Sequence, residues 1–443
     1  MQRYRIITLL FLLLMGLASC SPGHLGSNEI AFVRNGHLWT IDPDGANAFE
    51  IVAENTPVVG YAWSPTHQVL VYRSLDPDFA KTAAAKSLRS NASTGMFEDL
   101  PSTLNTIGID GGSPIPIMFS SSNILYSNPI WNSTGTRLLF RQEPTSPPHN
   151  PATALWWIAQ NDQPGGIAAR LLSSSYSIPS LAYTSSMVIE NSEKGVFTTT
   201  LAGTDMQFLT HQPLTGHPLP ATLERILWQP AHSQPAILYA ISTTSPSADS
   251  THPFSVQLTL RAANGRLTTL ATCTCTQFAW SPDGNHVLYS TGSTYTILHL
   301  TDMTSFTLSV ENGSVPYWSP DSQFLLLDGT HTLTLVRIAN KQQQILLSDT
   351  APSKKADNSI LPSTSALLQP VSNSPWAADS RHFLFLTHVR LLWQGHSLSS
   401  GKGLYTATIT ASGQLQGTPV VVDTGNDSQA GWTYEDANTS FLY

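Results

Sequence analysis

Charge is scarce in this chain, and cysteine is scarcer. Only 11% of its 443 residues are Asp, Glu, Lys or Arg, and only three are cysteines. So little charge excludes a charge-laced helical protein. Past the N-terminal leader, no apolar run reaches the roughly eighteen residues that a spanning helix needs. Lys/Arg clusters are missing too. With a formal net charge of −8 the chain offers a phosphate backbone no cationic stripe, so no nucleic-acid partner is expected. Long amphipathic helical patterns are absent, and the one helix-like stretch is FAKTAAAKSLRS at 79–90. Gly-x-Ser-x-Gly does not occur, since GHSLS at 395–399 fails at its last position, and no H-E-x-x-H spacing organises the 14 histidines. Local motifs therefore give no catalytic residue, no metal ligand and no cofactor. What is abundant is Ser, Thr, Pro and Gly, a mixture that suits many short strands joined by turns in an exported protein.

The leader, MQRYRIITLLFLLLMGLASC, begins with Arg3 and Arg5 and continues as an apolar stretch from Ile6 to Met15, too short for a comfortable span. Leu17-Ala18-Ser19-Cys20 resembles a bacterial lipobox, which implies acylation of the Cys20 thiol. The alternative is an ordinary secretory signal with an incidental cysteine. The resemblance divides the chain into a signal peptide at 1–19, a lipidated Cys20 with a short tether at 20–28, and one domain at 29–443. It implies an exported, extracytoplasmic protein held on a bacterial membrane by lipid. Ser21 would permit sorting to an outer membrane. Cys273 and Cys275 would share one face of a strand, with Cα atoms near the upper limit for a disulfide. They read as two small, buried or half-buried thiols, with a metal pair or redox site as the alternative.

A repeat organises the rest. AWSPDGNHVLYS at 279–290 returns as YAWSPTHQVLVYR at 61–73, PIWNSTGTRLLFR at 129–141, ILWQPAHSQPAILYA at 226–240, YWSPDSQFLLLD at 317–328 and PWAADSRHFLFLT at 375–387. LAYTSSMVIE at 181–190 and GWTYEDANTSFLY at the C-terminus are weaker copies. The aromatic anchors are Trp63, Trp131, Tyr183, Trp228, Trp280, Trp318, Trp376 and Trp432, spaced 38 to 68 residues apart. The short end of that range matches one four-stranded propeller blade. Pro282 presets φ, Asp283 can bond the backbone and Gly284 accepts positive φ, so Ser-Pro-Asp-Gly is a turn. Val287-Leu288-Tyr289 then reads as a strand buried on both faces, and Trp280 as a flat wedge between neighbouring sheets. His67, His232 and His286 recur in or beside this turn and read as solvent-side structural positions. Asp42 to Asn47 reads as a strand-to-strand turn, not a calcium loop.

Second strands are expected to start near 30, 69, 137, 187, 236, 286, 324 and 383. That gives an all-β propeller of eight four-stranded blades, or seven if the Tyr183 unit is not a full blade. GWTYE at the C-terminus is expected to complete the N-terminal blade by pairing the two terminal strands, although SFLY at the extreme end competes with IAFV for the second-strand slot. The Trp-Ser-Pro-Asp-Gly signature resembles the WD-repeat-like blades of TolB-type β-propellers, which implies the fold and leaves the activity open.

In such blades the links from strand two to three share a face with the links between blades. The long segments 74–103, 142–154, 241–254, 388–403, 210–225 and 348–375 all fall in those two classes, so they are expected to crowd one rim, where binding resides. Phe79 and Phe97 in the first segment, His149 in the second, and Trp393 and His396 in 388–403 are the candidate binding residues. The expected protein is a monomeric, lipid-anchored envelope propeller that binds a protein or glycan without catalysis of its own. The alternatives are a propeller enzyme, such as a metal-dependent lyase or glycan-active hydrolase working across the central channel, and a purely structural assembly factor.

Overall fold

The computed structural model describes residues 29–432, apart from 83–99, 146–154, 162–168, 173–179, 182–186, 201–206, 210–225, 243–254, 349–367, 370–374, 388–391, 398–402 and several shorter breaks. Cys20, Phe97, His149, Tyr183 and the terminal SFLY lie outside the described residues.

Among the described residues, the strands, numbered in chain order, pair into eight antiparallel sheets. The first holds β1 (Ile30–Arg34), β2 (His37–Ile41) and β3 (Phe49–Val52). The second is β4 (Val58–Trp63), β5 (Val69–Leu75), β6 (Ser102–Gly108) and β7 (Gly111–Met118), with a one-turn helix α1 (Pro77–Ala80) after β5. The third is β8 (Ile124–Trp131), β9 (Arg137–Pro144), β10 (Leu155–Gln160) and β11 (Ala169–Leu172). The fourth is β12 (Ser180–Leu181), β13 (Met187–Ser192), β14 (Gly195–Thr200) and β15 (Gln207–Phe208). The fifth is β16 (Ile226–Trp228), β17 (Ile237–Ser242), β18 (Val256–Arg261) and β19 (Leu267–Cys273). The sixth is β20 (Gln277–Trp280), β21 (His286–Ser290), β22 (Thr294–His299) and β23 (Ser305–Ser309). The seventh is β24 (Val315–Trp318), β25 (Phe324–Asp328), β26 (Thr332–Arg337) and β27 (Gln342–Ser348). The eighth is β28 (Leu368–Gln369), β29 (His382–Thr387), β32 (Gly403–Thr408) and β33 (Val420–Asp423). A small hairpin, β30 (Leu392–Trp393) and β31 (His396–Ser397), leaves the eighth sheet and extends the seventh. The last strand, β34 (Asp427–Trp432), pairs with β1 and gives the first sheet the order β3-β2-β1-β34. The two terminal strands therefore close the structure, with Ile30 opposite Trp432. The second strands start at 30, 69, 137, 187, 237, 286, 324 and 382, within one residue of the positions expected from the repeat.

Neighbouring sheets pack face to face. One apolar cluster joins the first and second sheets through Leu38, Trp63 and Tyr72, and another joins the eighth to the first through Leu384, Leu404 and Trp432. Equivalent clusters join the second to the third, the fourth to the fifth, and the fifth to the sixth. The sixth joins the seventh, and the seventh the eighth, in the same way. This is a β-propeller. Central strands such as β25, with burial on both faces from Phe324 to Leu327, lose their water on both sides and read as continuous apolar runs. Outer strands are wetter, and Leu267 and Ile345 are exposed there. A register shift recurs where the outer strand joins its sheet, in β2–β3, β6–β7, β10–β11, β18–β19, β26–β27 and β32–β33. Such bulges add twist, which suits a strand at the circumference.

The repeated tryptophans are the wedges. Trp63, Trp280, Trp376 and Trp432 are 0–1% exposed, and Trp318 is 3% exposed. Trp131 is also buried, whereas Trp228 is half-buried. Three of the wedges do more than fill space. Trp131 Nε1 donates to Ala62 O at 3.3 Å, Trp280 Nε1 to Leu227 O at 3.4 Å and Trp376 Nε1 to Tyr317 O at 3.1 Å. In each case the acceptor precedes the aromatic anchor of the sheet before, so one bond type stitches successive sheets.

The Ser-Pro-Asp turns form a second row of stitches. Within a turn, Ser281 Oγ donates to Asp283 at 2.5 Å, and Asn285 N donates to the same Oδ1 at 3.0 Å. Between turns, Asp283 N donates to Ser322 Oγ at 3.0 Å, and Asp321 N donates to Ser380 Oγ at 2.9 Å. Arg381 pairs with Asp321 at 3.0 Å, and Gln229 Nε2 donates to Gly284 O at 2.7 Å. Gly284 has φ +69°, and a Cβ there would stand 2.6 Å from Pro230 O of the preceding sheet. Only glycine fits that approach.

Two expectations are corrected. Cys273 and Cys275 are not separate thiols but a disulfide, with Cα atoms 5.1 Å apart. β19 ends at Cys273, and the chain bends there instead of continuing extended, which brings the two residues within bridging distance. Of the helical stretch expected at 79–90, the part at 83–90 lies outside the described residues, and the described part belongs to a one-turn helix that begins earlier: α1 spans Pro77–Ala80, is started by Asp76, and gives way to a turn at Lys81.

Candidate functional site

The strand directions put connections from second to third strands, and between sheets, on one face. The Ser-Pro-Asp turns and the third-to-fourth turns lie on the other. On the first face leave the segments 76–101, 145–154, 209–225, 243–255, 349–367 and 388–402. The opposite turns are mostly four to eight residues, as at 281–285 and 300–304. The expected crowding of insertions on one rim is therefore what the strand order produces.

The root of the first insertion is built from the chain's own chemistry. Asp76 is buried, and its Oδ1 accepts from Asp78 N at 3.0 Å and Phe79 N at 2.8 Å, which starts α1 at Pro77. The DPD sequence at 76–78 is thus a helix start. Val59, Leu75 and Ala80 form a satellite cluster with Leu100, pinning both ends of the insertion to the sheet. Phe79 sits in this turn half-buried. Trp393 and His396 lie opposite one another in the β30–β31 hairpin, and Leu347 and Ser348 of β27 pair with Trp393 and Leu392. The candidates of 388–403 thus belong to an added sheet edge of the neighbouring blade, well apart in sequence and in sheet from Phe79.

Below the insertions at 76–101 and 145–154 lies a buried polar floor that the sequence reading missed. Arg73 Nη1 donates to Tyr126 O at 2.8 Å, Ser74 and Thr103 share a bond of 2.8 Å, and Ser102 Oγ accepts from Tyr126 N at 3.2 Å. Arg141 pairs with the fully buried Glu143 at 3.1 Å. Burial pushes the Tyr126 hydroxyl up to about 12. No local motif marks these residues, because they come from β5, β6, β8 and β9 and meet only when the second and third sheets pack.

A carboxyl pair occupies the same face between the sixth and seventh sheets. Glu311 lies in the link between β23 and β24, and Asp328 ends β25. Thr332 Oγ1 donates to Glu311 Oε2 at 3.3 Å, and Ser314 Oγ donates to Glu311 O at 2.7 Å. Ser314 O in turn accepts from the buried Tyr295 hydroxyl, which Gln277 also contacts. Burial, followed by the neighbouring Glu311 charge, pushes the Asp328 carboxyl up to about 7. It can hold or release a proton near neutrality, which an ordinary aspartate cannot.

On the opposite face, the sixth and seventh sheets leave a groove of about 580 Å3. His286, His299, Phe306, Arg337, Ile338 and Lys341 are among its lining residues. His286 and His299 pair across β21 and β22 with ring centroids 4.9 Å apart, and His286 lies 5.9 Å from the Trp318 ring. His286 is thus half-buried at the groove wall, packed against aromatic neighbours. Lys341 Nζ sits 5.3 Å over Phe306. Burial alone would raise Asp283, but hydrogen bonds from Ser281 and Asn285, with the His286 ring 3.9 Å away, outweigh it and hold the carboxyl far below its usual range. Bonds from Thr304 and His299 hold Asp302 at about 2. Among the described residues, no group of three or more His, Cys, Asp or Glu is placed to hold a metal ion.

No protein-family model matches the sequence, and no curated protein does. Solved structures give likenesses of fold. The chain is similar to a eukaryotic initiation factor, at 10% identity and a TM-score of 0.48, over 92% of this chain and 99% of that one. It is similar to an oligogalacturonate lyase in complex with manganese, at 12% identity and a TM-score of 0.44, over 66% and 79%. TolB from Acinetobacter baumannii matches at 14% identity and a TM-score of 0.34, over 65% and 64%. The β-propeller fold stands on the sheet order and on the seven sheet-to-sheet interfaces described above.

Proposed function

We propose that the chain is a lipid-anchored propeller of the cell envelope that binds a protein or glycan through the elaborated face, as a scaffold without catalysis of its own. The observation that carries this reading is the partition of connection lengths between the two faces. A rigid ring presenting long segments on one side is how scaffolds position binding loops. Leu17-Ala18-Ser19-Cys20 supports the anchor. The Cys273–Cys275 bridge supports an oxidising compartment outside the cytoplasm. The test is crosslinking in intact cells followed by partner identification, with the full chain against a variant in which 83–99 is replaced by a short Gly/Ser link. A partner captured by the first and lost by the second is expected. Capture that survives shortening of each long connection in turn would refute the reading.

A second reading is favoured by Asp328. A carboxyl that titrates near neutrality beside Glu311, on the elaborated face, has the chemistry of a general acid. In that case the purified chain would depolymerise an envelope or extracellular polysaccharide, and Asp328→Asn would abolish the activity while leaving the fold intact.

A further inference from the structure

The Cys273–Cys275 bridge closes a ring around a single residue, Thr274. A disulfide stabilises a fold chiefly by restricting the unfolded chain, and the restriction grows with the loop it closes. Here the loop is as short as a one-residue spacer allows, so the bridge is a poor staple for a ring of eight sheets. Its surroundings are asymmetric in a way that suits reaction. Cys275 is 4% exposed and packs with Leu227, Leu258, Phe278 and Trp280. Cys273 ends the outer strand β19, is half-buried, and is flanked by the exposed Thr272 and Thr274. The two sulfurs lie in the link from the fifth to the sixth sheet, on the elaborated face. Thr276 anchors the far side of the link through its N–H to Ser290 O at 2.9 Å. Opening the bridge therefore need not disturb the sheet pairings on either side.

We propose that Cys273 and Cys275 form a thiol–disulfide exchange site that oxidises a dithiol on a partner polypeptide. A partner thiolate attacks Cys273 Sγ, the sulfur of the less buried cysteine. The Cys273–Cys275 bond breaks, a mixed disulfide forms, and Cys275 leaves as a thiolate that takes up a proton. The partner's second thiolate then attacks its own mixed-disulfide sulfur and releases Cys273 as a thiolate, which is protonated in turn. The partner's two thiols become a disulfide, and the two electrons reside on Cys273 and Cys275. Run backwards, with a disulfide partner, Cys273 is the attacking thiolate and Cys275 the resolving thiol, held two residues away at high effective concentration.

The test uses the full chain in a Cys20→Ser background, so that no third thiol interferes. Cys275→Ser and Cys273→Ser are each exposed to oxidised glutathione, and adducts are followed by intact-protein mass spectrometry. Glutathione is expected on Cys273 of the first variant at least tenfold faster than on Cys275 of the second. Equal rates, or faster reaction at Cys275, would overturn the assignment. The bridged protein supplies a measurement that needs neither substitution to fold. Equilibrated over reduced-to-oxidised glutathione ratios, it should pass from bridged to dithiol within that range, with its far-UV circular dichroism unchanged. A bridge that stays closed across the range, or opens only in denaturant, is structural, and the proposal fails.

Discussion

Replacing Asp328 by Asn removes one ionisable group and keeps its shape. The folded chain holds the Asp328 proton with a pKa of about 7 against 3.8 for an ordinary aspartate, so folding binds that proton more tightly than the unfolded chain does. The sign follows from linkage: the contribution is fully present below about pH 4 and is lost as pH rises through about 7. A shift of this size corresponds to at most about 4 kcal/mol. The residue as a whole keeps some exposure, and screening there brings the expected cost of ionising its carboxyl nearer to about 2 kcal/mol. Urea unfolding followed by tryptophan fluorescence at pH 5 and pH 8, on both proteins, measures it. Relative to the wild type, Asp328→Asn should gain about 1–2 kcal/mol between the two pH values, because it has no charge to bury at pH 8. Glu311→Gln should give part of the same gain, since the Glu311 charge is the second cause of the shift. A variant whose relative stability is flat with pH, or falls, would refute the placement of the two carboxyls.

The stitches between sheets give two further tests. Trp376→Phe removes the bond to Tyr317 O and leaves a void beside Phe324 and Phe383, and should cost about 2–4 kcal/mol in chemical denaturation. Gly284→Ala should cost about 2–3 kcal/mol, because the new Cβ meets Pro230 O, whereas Gly112→Ala, with nothing near its Cβ, should cost only its conformational strain of about 1 kcal/mol; equal losses would mean that turn packing does not hold the sheets together. Cys20→Ser should abolish incorporation of labelled fatty acid and release the protein from membranes, and retention of the label would disprove the proposed anchor.

Much of the ring was legible in the sequence because its signals are local and repeated. Trp280, Pro282, Asp283 and Gly284 specify a wedge and a turn within five residues, and the apolar run after them marks the central strand. Even the closing strand could be read, since GWTYE was expected to supply a first strand for the N-terminal blade, and its Gly431 and Trp432 end β34. The interactions that join one blade to the next were not readable, because Ser322, Ser380 and Arg381 become partners of the preceding turn only once the sheets stand side by side. The Asp328–Glu311 pair was invisible for the same reason: its meaning lies in burial and in a neighbour seventeen residues upstream in another sheet link. The cysteine bridge was missed because the strand was assumed to continue, whereas the chain bends after Cys273. The rim was inferable as a face, but not as a set of touching side chains. Phe79 is fixed by a buried cap, while Trp393 and His396 belong to a hairpin recruited by the neighbouring sheet.

Pairing the last strand with the first has a consequence for how such a molecule is made. β1 leaves a ribosome or export channel early, yet the neighbour that shields its inner edge, β34, arrives after every other strand. Until then the nascent arc carries an unsatisfied row of amides at its leading end, able to accept a strand from another molecule. Once the latch engages, β1 and β34 shield each other's edges, so this junction resists fraying, while assembly must guard one exposed edge until β34 is made.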